Sequence, residues 1–146
     1  MKIEVYNDII FLKKIWRKKS CLLLLLCLID SLAKINYPNI NWNKKRYCEY
    51  LKNKFISEKW YYREIRIEEK WKVVWIDKII YEYFRCSFIH ELDDRTNKEY
   101  EIQIDYLESI DFFTPTTLCV DRVNLKIRVN IDWLIETLLD IVIKDI

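Results

Sequence analysis

At 146 residues the chain has the length of one domain, and its 51% hydrophobic and 15% aromatic content is too apolar for disorder. The net charge is only +2, so no strongly charged class is indicated, and there is no glycine. A Walker loop, a GxGxxG dinucleotide turn and a GxSxG nucleophile elbow are thereby excluded, because each needs glycine where backbone approaches phosphate or turns sharply.

Asn7 or Asp8 can cap a first helix that runs to about Asn36, where Asn36-Tyr37-Pro38-Asn39 stops it. Within it, Lys13, Lys14, Arg17, Lys18 and Lys19 precede the apolar run 21–29, and Ser31-Leu32-Ala33 follows, which is the outline of a secretory signal. Against that reading, the run is too short to span a bilayer, and Asp30 interrupts its end. A buried helix at the centre of a bundle is expected, with no membrane insertion.

A second helix is expected from about Asn43 to Phe55, with Tyr47, Cys48, Leu51 and Phe55 on one face. The alternation in residues 60–67 suits a strand, and its charges suit a loop equally. A third helix is expected over residues 68–92, because Val73, Ile76, Ile80, Phe84 and Phe88 recur at spacings of three and four. Asp93, Asp94, Thr96 and Asn97 then make a polar break.

Beyond the break the period changes to two. Tyr100, Ile102, Ile104 and Tyr106 alternate with polar residues, as do Val123, Leu125, Ile127 and Val129. These two segments are expected to pair as a hairpin with a long connection through Pro115. Asn130 or Asp132 then caps a last helix to about Lys144. The expected fold class is mainly α: one domain over residues 1–146, a four-helix bundle with a β-hairpin before the last helix.

The five cysteines (21, 27, 48, 86 and 119) are odd in number and contain no CxxC pair, and there is a single histidine. No metal site and no cofactor are expected, and free thiols suit a reducing, cytoplasmic setting. Charge is unevenly spread: residues 1–72 carry 17 Lys and Arg against 8 Asp and Glu, and residues 73–146 carry 8 against 15. The basic half reads either as a solvated lysine-rich surface or as a face for a polyanion such as RNA. Lys44, Lys45 and Arg46 could contact an RNA backbone or simply open a solvated helix. Most tryptophans read as core or interface anchors, with Trp42 and Trp60 as possible base-stacking platforms.

One constellation carries chemistry. The only histidine, His90, follows Arg85 by five residues in Tyr83-Phe84-Arg85-Cys86-Ser87-Phe88-Ile89-His90-Glu91. Arginine offers a permanently charged fork of donors to phosphate. Histidine titrates near neutrality and can exchange protons with a ribose 2′-hydroxyl or a leaving 5′-oxygen. Together they suit metal-independent RNA cleavage, with the 2′-oxygen attacking the adjacent phosphorus. On an α-helix, however, five residues separate two side chains by about 140°, so one α-helix does not present both on one face. Arg85 could instead pair with Glu82 or Glu91, and His90 could sit at a helix C-terminus facing the dipole. Asp30 could orient a catalytic group or lie exposed.

The Arg85–His90 spacing, the lead Ile79-Ile80-Tyr81-Glu82-Tyr83-Phe84, the opening helix with Ile29-Asp30-Ser31-Leu32 and the closing Trp133-Leu134-Ile135 resemble the HEPN family (higher eukaryotes and prokaryotes nucleotide-binding). The resemblance covers most of the chain as pattern more than identity. It implies a helical bundle, endoribonuclease activity and a homodimer that pools two Arg–His pairs. A toxin–antitoxin or antiviral-defence setting is also implied, with a cognate antitoxin or regulatory protein as partner. An inactive module of the same family, binding protein or RNA, is the alternative. A polar residue commonly follows the motif arginine, whereas this chain has Cys86, for which Ser87 could substitute. Leu92 stands where family toxins controlled by nucleotidyltransferases carry a tyrosine, so that mode of control is not expected.

Overall fold

A computed structural model of the chain describes residues 1–55, 62–67, 70–88, 100–105, 114–118 and 125–146, and these are mainly helical. The expected single first helix is two: α1 (Lys2–Lys14) and α2 (Lys18–Asn36). Between them the Arg17 N–H donates to the Leu12 carbonyl at 2.9 Å and the Trp16 N–H to the Lys13 carbonyl at 3.1 Å. That pair of bonds is the Schellman termination, whose left-handed position usually falls to glycine. A chain without glycine gives it to Trp16, at φ 60°. The left-handed backbone costs about 1–2 kcal/mol for a residue with a Cβ. Lys18 packs its ammonium 5.2 Å above the Trp16 ring.

Lys18 and Lys19 open α2 against its dipole. Lys18 is compensated by an ion pair of 2.7 Å with Asp132, in the first turn of the last helix, α5 (Ile131–Val142). At the other end of α2 the Asn36 amide donates to the Leu32 carbonyl, before Pro38 prevents continuation.

α2 is surrounded: α1, α3 (Asn43–Phe55), α5 and the segment carrying Arg85 all pack against it. Leu22, Leu25, Leu26, Ile29 and Leu32 are fully buried, joined by Tyr47 and Tyr50 of α3 and by Leu134 and Leu138 of α5. The apolar run that outlines a secretory signal is thus the centre of the core. No helix among the described residues is long and apolar enough to cross a membrane.

The expected third helix is corrected in its first half. Residues 70–75 form a strand, β2 (Lys70–Trp75), antiparallel to β1 (Tyr62–Ile67), with Ile65 opposite Lys72. Trp71, Val73 and Trp75 recur every two residues, and aromatic and β-branched side chains favour the pleated surface. Helix begins only at α4 (Ile76–Ile79) and continues as a π-helix over Ile80–Phe88. The expected end of this helix and the polar break, residues 89–97, lie outside the described residues.

The period-two segments do form strands, β3 (Tyr100–Asp105) and β5 (Leu125–Asn130), and they do pair. They pair in parallel, with Ile102 opposite Ile127, which corrects the hairpin expected between them. The antiparallel neighbour of β5 is β4 (Thr114–Leu118), the strand before it in the chain, giving the order β3-β5-β4. β5 leads straight into α5, which a 3₁₀ turn, Ile143–Asp145, follows.

That last turn is tied to α3. Asp145 accepts hydrogen bonds from Lys54 Nζ and Tyr50 Oη, each at 2.7 Å. Burial alone would raise the Asp145 carboxyl, but the Lys54 and Tyr50 bonds outweigh it and hold it below the usual carboxylate value. A depressed folded-state value adds stability that is present above the unfolded value, about 3.9, and lost as pH falls through the folded one. Below about pH 4, wild type is therefore expected to lose this increment while Asp145→Asn does not. Urea midpoints of the two proteins at pH 6 and pH 3 measure it; parallel losses would dismiss the coupling.

Candidate functional site

The site forms where α2, α3 and the π-helix meet. Asp30, near the end of α2, is among the last polar positions before the helix stops. Its Oδ2 lies 3.5 Å from Arg85 Nη2 and 3.4 Å from Lys34 Nζ, one turn further along α2. The Asp30 and Arg85 side chains are only 16% and 18% exposed, so this ion pair is screened less than a surface one. Asp30 Oδ1 is buried without a hydrogen-bond partner among the described residues.

Arg85 is held from below as well. Its guanidinium carbon stands 5.6 Å over the Tyr81 ring, four residues earlier. Tyr81 in turn meets Tyr47 of α3 edge-on, with centroids 5.3 Å apart and planes at 62°. Burial acts to lower the Arg85 guanidinium, yet Asp30 and Tyr81 outweigh it and raise it above its ordinary value. The arginine is therefore a cation held by the Asp30 carboxylate and the Tyr81 ring, with Tyr47 packed behind Tyr81. Burial also pushes the Tyr47 hydroxyl well up, and that oxygen has no partner among the described residues.

A buried hydroxyl left unpartnered costs about 1–3 kcal/mol. Tyr47→Phe is accordingly expected to raise the thermal midpoint by a few degrees with the ring contact to Tyr81 kept. A clear fall in the midpoint on thermal melting would show that the hydroxyl is partnered after all.

The π winding changes the angular relation along this segment. Its i→i+5 bonds place residues five apart nearly above one another, where α winding separates them. Arg85 and Cys86 lie inside the π-helix, Cys86 half-buried; Ser87 is in it too, though its side chain is not among the described ones. His90 and Glu91 lie outside the described residues, so the structure supplies no geometry for the Arg85–His90 pair. Trp60 lies outside them as well.

Of the basic cluster at the start of α3, two members are engaged. Lys44 forms an ion pair with Glu82 of the π-helix, and that hydrogen bond raises its ammonium above its ordinary value. Arg46 donates to the Ile40 carbonyl at 3.2 Å and to Asn43 Oδ1 at 2.6 Å, fixing the turn before α3. Lys45 is exposed.

No family model, curated protein or solved structure matches the chain. The site is read from its own chemistry.

The Asp30–Arg85 contact joins two residues singled out in the sequence. Tyr81 and Lys34 do not stand out there; each lies four residues from the group it attends, and that helical spacing is the signal that finds them. Among the described residues, no three His, Cys, Asp or Glu side chains converge as a metal-holding group.

Proposed function

We propose that the chain is a metal-independent endoribonuclease of HEPN type, acting as a cytoplasmic toxin or phage-defence effector. The observation that carries this reading is Arg85: a cation fixed by Asp30 and Tyr81 at the meeting of three helical elements, on a π-helix. π segments are rare and recur at functional sites.

In the proposed reaction Arg85 stabilises charge on the pentavalent phosphate while His90 serves as general base or acid. The 2′-hydroxyl loses its proton, its oxygen bonds to phosphorus, the P–O5′ bond breaks and the 5′-oxygen takes up a proton. Products are a 2′,3′-cyclic phosphate and a free 5′-hydroxyl. A homodimer would supply two Arg–His pairs to the two proton transfers, and an antitoxin or regulatory protein would restrain the active form. Asp30, Cys86, Ser87 and Glu91 would support the pair, and Lys44, Lys45 and Arg46 would draw in the RNA backbone.

A second reading is an inactive module of the same type that binds protein or RNA. The observation favouring it is the engagement of Arg85 by Asp30 in a pocket that leaves little of the guanidinium open. Incubation of a mixed RNA pool with the protein in EDTA separates the two. Substrate loss with 2′,3′-cyclic phosphate ends supports the enzyme; an intact pool beside folded dimeric protein supports the module.

A further inference from the structure

A second concave surface lies beside this site. Trp42, immediately before α3, is 78% exposed, although a large aromatic side chain in water gives up the stabilisation that burial would bring. It borders a groove of about 580 Å³ between α3 and α4, a size within the range of ligand sites. Four lysines line that groove, at positions 44, 45, 52 and 78, against two carboxylates, Glu49 and Asp77.

The lysines are not equivalent. Lys44 is taken by Glu82, whereas Lys45, Lys52 and Lys78 are exposed and make no ion pair among the described residues. The groove therefore holds unspent positive charge next to an exposed indole. Asp77 adds an independent feature: it is only 4% exposed, and although its carboxylate takes bonds from the Lys78 N–H and the Cys48 thiol, its Oδ1 has no hydrogen-bond partner among the described residues. An unpartnered acceptor in a groove wall is satisfied by a ligand that brings a donor.

We propose that this groove binds a nucleotide unit, its base stacked on Trp42, its phosphate among Lys45, Lys52 and Lys78, and an exocyclic amino group donating to Asp77. Stacking on an aromatic ring accepts any base, lysines accept any phosphate, and a carboxylate acceptor adds a preference for amino-bearing bases over uracil. The proposal deepens the ribonuclease reading and rests on it only for the source of the nucleotide, a strand of RNA; a free mononucleotide offers the same chemistry. Glu82 joins the two surfaces, since it holds Lys44 and lies three residues before Arg85 on the π-helix.

Binding is measured by fluorescence anisotropy with labelled 2′-O-methyl hexamers of adenosine, cytidine and uridine, which cannot undergo 2′-oxygen attack. Binding and cleavage can then fail separately. Adenosine and cytidine hexamers are expected to bind more tightly than uridine. Trp42→Ala and the double change Lys45→Glu with Lys78→Glu should each weaken binding about tenfold or more. Lys14→Glu, an exposed change on α1, should leave it unaltered. Asp77→Asn should erase the base preference; because Asp77 is buried, the surface variants keep the test decisive if that protein fails to fold. Displacement of the hexamer by AMP shows that one nucleotide suffices, and resistance to AMP identifies the strand as the ligand. The proposal is overturned if folded wild type binds none of the hexamers, if uridine binds equally well, or if Trp42→Ala or the double lysine variant binds as wild type does. Equal weakening by Lys14→Glu would also overturn it, since the attraction would then be unspecific.

Discussion

His90→Ala is expected to slow RNA cleavage by about 10²- to 10⁴-fold, the usual contribution of a positioned proton-transfer group. No other histidine exists in the chain to substitute for it. Arg85→Lys provides the complementary loss. Lysine keeps the positive charge but not the planar fork of donors, so the ion pair with Asp30 can survive while bidentate hold on the phosphate cannot. Its cleavage rate should fall about 10²- to 10³-fold, as for loss of one transition-state donor. Both rates are read as 2′,3′-cyclic phosphate formed per unit of folded protein in EDTA, with folding checked by circular dichroism. If both variants cleave at the wild-type rate, the assignment of Arg85 and His90 is wrong. If only Arg85→Lys is slow, Arg85 acts on substrate and another group moves the proton.

The second large effect is on stability. Leu25 is fully buried in the centre of α2, the helix on which α1, α3 and α5 all rest. Leu25→Ala removes apolar contact and leaves a cavity that four surrounding elements cannot close together, so a loss of about 2–5 kcal/mol is expected. For a chain of this size that lowers the thermal midpoint by roughly 4–20 °C, a large part of a total stability of about 5–15 kcal/mol. Ile35→Ala on the same helix is the contrast. Ile35 is 57% exposed, and its truncation should stay within about 0.5 kcal/mol. Similar midpoints for the two variants would mean that α2 is not the centre of the core.

These expectations draw unequally on what the sequence discloses. α3 is legible at both ends, because Asn43 opens an amphipathic pattern that places Tyr47 and Leu51 inward. The centrality of α2 is legible too, since an all-round apolar helix must be covered on every side. The break between α1 and α2 is not. The sign of a Schellman turn is glycine, and a tryptophan at that position gives no warning. Residues 70–75 are ambiguous for another reason: Val73 belongs both to a two-residue series with Trp71 and Trp75 and to a three-to-four series with Ile76 and Ile80. Alternation finds β3 and β5 but carries no direction, so parallel pairing is invisible in it. At the site, Asp30 and Arg85 are visible as residue types, while the 54 positions between them hide their contact. The exposed Trp42 groove is legible only in part, because Lys78 lies far in the chain from Lys45 and Lys52 of α3 and is brought to them by the packing of α4 on α3.

The turn at Trp16 also bears on the order in which the molecule assembles. Only residues 15–17 separate α1 from α2, so their packing closes a very short loop at little entropic cost. The parallel β3–β5 pairing and the docking of α5 on α2 join segments far apart in the chain and bear the slower part of the search. Helices form within about a microsecond and short loops close faster still, so the α1–α2 pair is the natural nucleus. The left-handed tryptophan, a cost in the finished structure, then lies in the part of the chain expected to assemble first.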